Sequence, residues 1–578
     1  MHNIKDRHQL TFYTIPKWRG YLTEKQIKDL DKSWAGTFRQ FILPLLPVER
    51  IKTLYSDDWG RPSNELYTII GACVLQQVFD LTDEDTQQML SYNKQWHYAL
   101  DNFDLDDHRL SVRSIWTMRQ ILIQMDLIPD LFENANKQFT KILKVNTSHQ
   151  RIDSSLISSN MARIGRVRIL SRVIHKFLIN LKRQYVQHYQ LLEAEHPDLV
   201  QRYIRESDPA YFGSVKPSHT QKRLLEIAND LYFLIQRYAS DNSVTKLYSY
   251  GLLTRVFSEH CNVVEGQAQV RPNKEVPSTS IQNPSDIDAT YNGHKKKSGY
   301  SVQLMETYTP AVDEGESDSL PGLDLITHVE VTPAHVHDSN AIAPALEDME
   351  EQETVPDVLL ADSAYGSDDN VEMAHKSQVD LVSPVKGTNK THDFTGFVLD
   401  PETSVVLFCP FGKSPDRINQ KRKTGIILVH WDKQTCRDCP LAAQCPTSKM
   451  KKSNRLRYEP KDFRLWCRRT DQKTEEFTKL YRRRSGVEGS LSRLMNTRRA
   501  RRSRYRGLSK VRYGVITKAL GENIFRTAKY IRSLINHFPN IPNPDLYYVK
   551  KRLFAFLIRF LNLPTGSRRS VRNLVTVG

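Results

Sequence analysis

At 578 residues the chain has room for about three or four domains and a large buried core. Lys and Arg outnumber Asp and Glu by 83 to 66, a formal net charge of +17. That balance favours a polyanionic partner, nucleic acid before others, because each phosphate met by a cation releases condensed counterions; a merely solvated basic surface is the competing reading. No apolar run of about 18 residues is available to span a bilayer, and Met1-His2-Asn3-Ile4-Lys5-Asp6 does not open as a secretory signal. Seven cysteines, odd in number and thinly spread, argue against a disulfide framework. The expected setting is a reducing cytoplasm, in contact with the nucleoid.

Residues 1–145 read as a helical domain suited to DNA-end binding, dimerisation or packing alone. Leu66, Ile69, Ile70, Cys73, Val74 and Val78 fall on one helical stripe behind the breaker Gly60-Arg61-Pro62-Ser63. A second helix opens near Thr82 with Asp83, Glu84 and Asp85 in its first turn, and a third runs from about Ser111 to Leu127, with Pro129 as its stop. Residues 146–159 form a first core strand, expected to end near Asp153. Residues 160–280 are a helical insertion and loop: Leu170, Ile174, Phe177, Leu178 and Leu181 share a stripe, the partner helix covers about Leu224 to Tyr238, and 262–290 read as loop.

Residues 281–388 resume a sheet. Tyr300, Val302 and Leu304 alternate with polar neighbours, a strand follows over Leu323 to Val331, and Asp313 to Asp318 make an acidic turn. A helix near Ser339 to Glu351 leads into Val358-Leu359-Leu360-Ala361, apolar throughout as in a strand buried on both faces. Asp362 falls just beyond that strand, where sites form in open α/β sheets. Ser367 caps a helix, and Val379 to Val385 is a further strand. Residues 389–470 read as a β-rich, Cys-containing insertion with strands at Ser404 to Cys409 and Gly425 to Val429. Residues 471–540 are helical, with a stripe through Val511, Val515, Ala519 and Ile524, and 541–578 form a helical tail.

Three phrases carry the chemistry. Arg151-Ile152-Asp153-Ser154-Ser155, Leu360-Ala361-Asp362-Ser363-Ala364-Tyr365-Gly366 and Tyr481-Arg482-Arg483-Arg484-Ser485-Gly486-Val487-Glu488-Gly489 each supply one carboxylate. Between Arg482 and Arg512 stand eleven Arg and one Lys but a single acid, Glu488, so this Glu needs a reason to be there. Three carboxylates suffice to hold hard cations such as Mg²⁺ or Mn²⁺, and two such ions can serve the attacking and leaving oxygens of a phosphodiester. In this assignment Asp153 bridges two ions, Asp362 holds one and Glu488 the other. Taken singly, Asp153 and Asp362 read equally as turn or cap residues, and Glu488 as an ion-pair partner of Arg484.

Together these phrases resemble the DDE transposases of bacterial insertion sequences, in the branch with a helical N-terminal domain, and the likeness covers nearly the whole chain. Pro284-Ser285-Asp286-Ile287-Asp288-Ala289-Thr290-Tyr291 and His294-Lys295-Lys296-Lys297-Ser298-Gly299-Tyr300 are similar to the family's entry into its second core strand. Tyr481, Arg484 and Glu488 match its Tyr, Arg, Glu spacing, while Met495 stands where the family has Lys, leaving Arg493 or Arg498 to take over its phosphate contact. The resemblance implies an α/β fold with an RNase H-like mixed-sheet core, a helical insertion after the first strand and a β-rich insertion before the last catalytic helix. It also implies cleavage at the ends of the element and strand transfer into target DNA, with terminal inverted repeats and target duplex as partners and a homodimer in the DNA complex. A nuclease that cuts without joining, and a non-catalytic end-binding protein or repressor, are the alternatives.

Two further groups stand out. Cys409, Cys436, Cys439 and Cys445, spaced C-x26-C-x2-C-x5-C, suit a structural Zn²⁺, with His430 as a substitute ligand and reduced, partly buried thiols as the alternative. Arg493, Arg498, Arg499, Arg501, Arg502, Arg504 and Arg506, with Tyr505 among them and Tyr481 and Arg484 before them, suit contact with a DNA backbone; a solvated helix end is the bland reading. Lys295 to Lys297, and His335 and His337 near Asp338, read as loop residues. Trp96, Trp116 and Trp431 read as packing residues, and Cys73, Cys261 and Cys467 as structural.

Overall fold

A computed structural model describes residues 1–4, 21–56, 59–60, 62–102, 109–205, 217–310, 322–387, 393–400, 403–421 and 424–537. The acidic turn at 313–318 and the tail at 541–578 lie outside the described residues. Strand β1 (His149–Ser158) is the centre of the main sheet. The short hairpin β2 (Cys261–Val264) and β3 (Gln267–Val270) lies elsewhere, in what reads from sequence as loop. Next come β4 (Thr290–Asn292), β5 (Lys297–Thr307), β6 (Ile326–Pro333), β7 (Val358–Leu360) and β8 (Asp380–Val382).

The sheet is mixed. β5 runs antiparallel to β1, with Asp153 opposite Leu304, and β6 and β4 pair antiparallel along the far edge of β5. On its other side β1 is parallel to β7 through His149 to Arg151 only, and β7 is parallel to β8. β1 therefore continues past the end of β7, and Asp153 sits within the strand rather than at its end. The alternation of Ile152 and Asp153 puts the isoleucine in the core, fully buried, and the aspartate on the other face.

The N-terminal helices share one core with this sheet. Helix Leu66–Val78 is buried almost all round. Helix Leu508–His537 packs against it, against helix Leu127–Leu143 and against β6, so it lies between the helical region and the sheet. Val511, Val515, Ala519 and Ile524 are all buried there. Asp288 Oδ2 accepts from Leu508 N at 2.8 Å and Asp286 Oδ1 from Gly507 N at 3.0 Å. The acidic segment noted before β4 thus caps the last helix, where exposed N–H groups and the helix dipole favour negative charge.

Several expectations need correction. Pro129 does not stop a helix. It lies in the first turn of Leu127–Leu143, where no N–H partner is lost, and the break comes from Asp126 at φ 47°. The insertion after β1 holds a third long helix, Tyr248–His260, packed with Arg166–Gln184 and Thr220–Tyr238 around a core of its own, so it exceeds a hairpin. Trp116 is 51% exposed, whereas Trp96 and Trp431 are buried as expected. In the later insertion β9 (Val398–Leu399) pairs with β10 (Val406–Phe408), while β11 (Arg417–Gln420), β12 (Ile427–Asp432), β14 (Ser453–Tyr458) and β13 (Ser448–Lys449) form a four-stranded sheet in that order. Among the described residues no helix is long and apolar enough to cross a membrane.

Candidate active site and nucleic-acid interface

Asp153 feels the charge of Asp362 and is linked to Glu488 through Arg484, the three acids coming from elements far apart in the chain. Asp153 projects from β1, and its Oδ1 accepts from Ser154 N at 2.8 Å. Asp362 follows β7 in a tight turn: its Oδ1 accepts from Ala364 N at 2.7 Å and its carbonyl from Tyr365 N at 3.2 Å. Glu488 stands in the first turn of helix Gly486–Ser492, with its side chain 60% exposed. Arg484 joins two of them, donating from Nη1 to Asp153 Oδ2 at 3.1 Å and from Nη2 to Glu488 Oε1 at 2.7 Å.

Burial pushes the Asp153 carboxyl above its ordinary range, and the nearby charge of Asp362 adds to this, against the hydrogen bond from Ser154 and the charge of Arg484. Such a balance marks a carboxylate short of positive charge. Tyr481 lies flat against Phe477, ring centroids 5.6 Å apart, with the Arg484 guanidinium 5.9 Å from its ring. Burial raises its hydroxyl, and Asp362 and Asp153 push the same way. As placed, no three Asp, Glu, His or Cys side chains among the described residues stand close enough to hold one metal ion. The cation between Asp153 and Glu488 is Arg484.

Two glycines make the supports possible. A Cβ on Gly366 would lie 2.3 Å from Ser383 Oγ, and that hydroxyl donates to the Asp362 carbonyl at 2.6 Å. Arg468 completes the clamp, donating to Gly366 O at 3.1 Å and Ser383 O at 3.0 Å. A Cβ on Gly486 would lie 2.2 Å from Arg151 Nη1, and through that approach Arg151 donates to Arg483 O at 2.8 Å. β1 is thereby tied directly to the segment carrying Arg484 and Glu488.

Behind this tie lies a chain of ion pairs built on two buried acids, Glu306 and Glu522. Arg151 donates to Glu306 at 2.8 Å, Arg526 to Glu306 at 2.8 Å and to Glu522 at 3.2 Å, and Glu522 also takes Arg493 at 2.7 Å. Buried Tyr365 donates to Gln303, which donates to Asp338 Oδ1 at 2.8 Å, forming a polar layer beneath the acids. Glu306, Glu522 and Gln303 did not stand out in the sequence, and Asp338 did so only as a neighbour of His335 and His337. An acid inside an apolar β-strand such as Glu306, between Met305 and Thr307, is the one signal that pointed there.

Residues 408–528 match a Transposase DDE domain, and residues 28–120 match a Transposase domain (DUF772). These two matches, to separate stretches of the chain, support an insertion-sequence DDE transposase. A comparison with curated proteins finds no match. The first of these regions contains Glu488, Arg484 and the arginine tract; Asp153 and Asp362 precede it.

The arginine tract divides in two. Arg493 and Arg498 both bind Glu522, Arg498 lying 4.0 Å over the Phe525 ring. Met495 is buried in the core. Arg504 binds Asp80 at 2.9 Å. These arginines hold the protein's own acids. Arg499, Arg501, Arg502 and Arg506 are exposed and have no acidic partner among the described residues; Arg501 and Arg506 donate to Asn496 and Asn160. The loop is docked on the end of β1, since Ser158 N donates to Arg501 O at 2.9 Å and Ser503 N to Ser158 O at 3.0 Å. The exposed cations therefore stand at the end of the strand that carries Asp153. Tyr505, set among these arginines, is partly buried against the core, and its hydroxyl accepts from Gln77 Nε2 at 2.7 Å.

Among the other groups, His335 and His337 are met by Thr290 and Ser339, in line with loop roles. Cys73 and Cys261 are buried, Cys467 is partly so, and all seven cysteines are reduced.

Proposed function

We propose that this transposase cleaves DNA at the ends of its insertion sequence and joins the freed ends to target DNA, with Asp153, Asp362 and Glu488 as its catalytic and metal-holding acids. The observation that carries this reading is the double contact of Arg484 with Asp153 and Glu488, with Asp362 acting on the same charge balance. The donor set fits a hard divalent cation, Mg²⁺ or Mn²⁺, because it is made of carboxylates alone and Asp153 is short of positive charge. When bound, two such ions assist the attacking oxygen and take up charge on the departing one. The strand order β6-β5-β1-β7-β8, antiparallel on one side of β1 and parallel on the other, supports an RNase H-like core.

The chain's own residues have separable parts to play. Asp153 and Asp362 are held by strand and turn, whereas Glu488 is exposed and held by Arg484 alone among the contacts described. Arg484 supplies counter-charge to Asp153 and Glu488 and keeps them facing each other. Tyr481, resting on Phe477, lines the approach. Arg499, Arg501, Arg502 and Arg506 take the DNA backbone beside the end of β1, and positioned donors of this kind fix register without reading bases. The division into residues 1–145, 146–159, 160–280, 281–388, 389–470, 471–540 and 541–578 remains our working domain scheme, the first serving DNA-end binding or dimerisation.

The test is incubation of the purified protein with the element's terminal repeats, target duplex and Mg²⁺. Nicked ends with joined products support transposition, and nicks alone indicate a nuclease. Retained DNA binding with neither product indicates an end-binding protein or repressor.

A further inference from the structure

The β-rich insertion spans residues 393–459, and its core is Phe394, Phe397, Val406, Ile427, Val429, Trp431, Leu456 and Tyr458. Two of its strands, β9 and β13, are two residues long. Below about 70–80 residues a hydrophobic core alone rarely holds a module together, and small modules add a staple. The disulfide kind is absent, since its cysteines are reduced.

The thiols lie where a staple would act. Cys409 directly follows β10 and opens a closed turn: Gly412 N donates to Cys409 O at 2.8 Å and Cys409 N to Lys413 O at 2.9 Å, with Gly412 at φ +72°. That turn is fastened to the end of β12, because Trp431 Nε1 donates to Lys413 O at 3.3 Å. The next residue, Asp432, caps the short helix Lys433–Arg437 that carries Cys436, accepting from Gln434 N at 2.7 Å. The helix packs on β12 and β14.

Two further turns follow: Ala442 N donates to Cys439 O at 3.1 Å and Cys445 N to Leu441 O at 3.0 Å, returning the chain to β13. Thr447 Oγ1 donates to Cys445 Sγ at 3.4 Å. Cys409, Cys436 and Cys445 pack on the same small core. Cys445, Cys409 and Cys439 all lie within electrostatic reach of Cys436. As placed, the four do not form a closed ligand set, so binding requires their sulfurs to draw together.

We infer that Cys409, Cys436, Cys439 and Cys445 form a tetrathiolate site for one structural Zn²⁺ that locks the turn after β10 to the short helix after β12 and the segment before β13. The loss of four thiol protons accompanies binding, and a tetrahedral sulfur set leaves no open position, which makes the ion structural and separate from the carboxylate site. His430 is not part of the set: its Nδ1 lies 3.2 Å from Ser453 Oγ, within β12.

The full-length protein purified from zinc-supplemented cells should contain one Zn²⁺ per chain by elemental analysis. Exchange for Co²⁺ should give the visible ligand-field and sulfur charge-transfer bands of a tetrahedral thiolate site. Cys467→Ser and Asp153→Asn should keep the ion, and Cys436→Ser with Cys439→Ser should lose it. Should that double variant not fold, thiol labelling of the wild type decides: four of the seven cysteines should become reactive on chelation. Purified wild type without stoichiometric zinc and without the cobalt bands would overturn the inference, as would zinc kept in a folded Cys436→Ser, Cys439→Ser variant.

Discussion

Arg484 reaches across 331 positions of the chain to donate to Asp153 at 3.1 Å. The same side chain holds Glu488 one helical turn away, so a single guanidinium sets the separation of an acid on the central strand from an acid on a helix. This contact gives Asp153 and Glu488 a shared partner that neither phrase supplies to the other by sequence alone.

Replacing Asp153, Asp362 or Glu488 by its amide should lower cleavage of end-containing DNA by about 10³-fold or more, the scale of a lost reacting group, while gel-shift affinity is kept. Mn²⁺ at about 100 times its dissociation constant should stabilise the wild type by about 2.7 kcal/mol in thermal unfolding, and the Asp153→Asn variant much less. Cutting by any amide variant at the wild-type rate would remove that acid from the assignment.

The two classes of arginine should separate in a salt titration. Arg501→Gln with Arg502→Gln should lower the slope of log affinity against log salt by up to about 1.8, at about 0.9 per phosphate contact on B-DNA, with little change in melting temperature. Arg498→Gln should do the reverse, lowering the melting temperature and sparing the slope, because its charge is already spent on Glu522. Equal slopes for all three proteins would show that the loop does not carry the DNA.

Glu522 should make stability sensitive to acid. Burial opposes its charge, but Arg526, Arg493 and Arg498 together outweigh burial and hold the carboxyl below the ordinary glutamate range. A depressed folded value means the contribution is complete above the unfolded value of about 4.3 and is lost as pH falls through the folded one. Glu522→Gln should be less stable than wild type at pH 7, with the gap closing in acid; urea unfolding at a series of pH values measures it. A gap independent of pH would argue against these ion pairs.

Gly366→Ala should press on Ser383 Oγ and loosen the turn that holds Asp362. Overpacking of this kind costs about 1–3 kcal/mol, and cleavage should fall along with stability. Adding Ser383→Ala opens the space and should restore part of the stability. If the double variant were no better than Gly366→Ala alone, the close approach would not be what requires glycine.

Much of the local architecture was legible in the residues. Ser367 caps its helix as read, its hydroxyl accepting from Asn370 N at 3.2 Å. Asp362 follows a short strand buried at Leu359 and Leu360, because continuous apolar character marks a strand covered on both faces. The boundaries that misled were those set by distant partners. β1 runs five residues past Asp153 because β5 pairs with its whole length, and nothing in Ser154-Ser155 announces that partner. Residues 261–270 form a hairpin although the flanking prolines read as loop. Pro129 was taken for a stop because proline breaks helix interiors, yet in a first turn it breaks nothing.

The amino-acid order alone determined that three acids would stand in ordered settings, that charge would gather in one arginine-rich stretch and that four thiols would share one insertion, since each of these depends on residue type, period and spacing along the chain. Which arginines are paired was decided by tertiary structure. Glu522, Asp80 and Glu306 claim Arg493, Arg498, Arg504, Arg151 and Arg526, and burying such acids is tolerated only because folding brings a guanidinium to each. The closeness of Asp153 to Glu488 has the same origin. It rests on Arg151 passing over Gly486 and on Arg484 spanning the gap, contacts that exist only once β1 and the helix Gly486–Ser492 have packed.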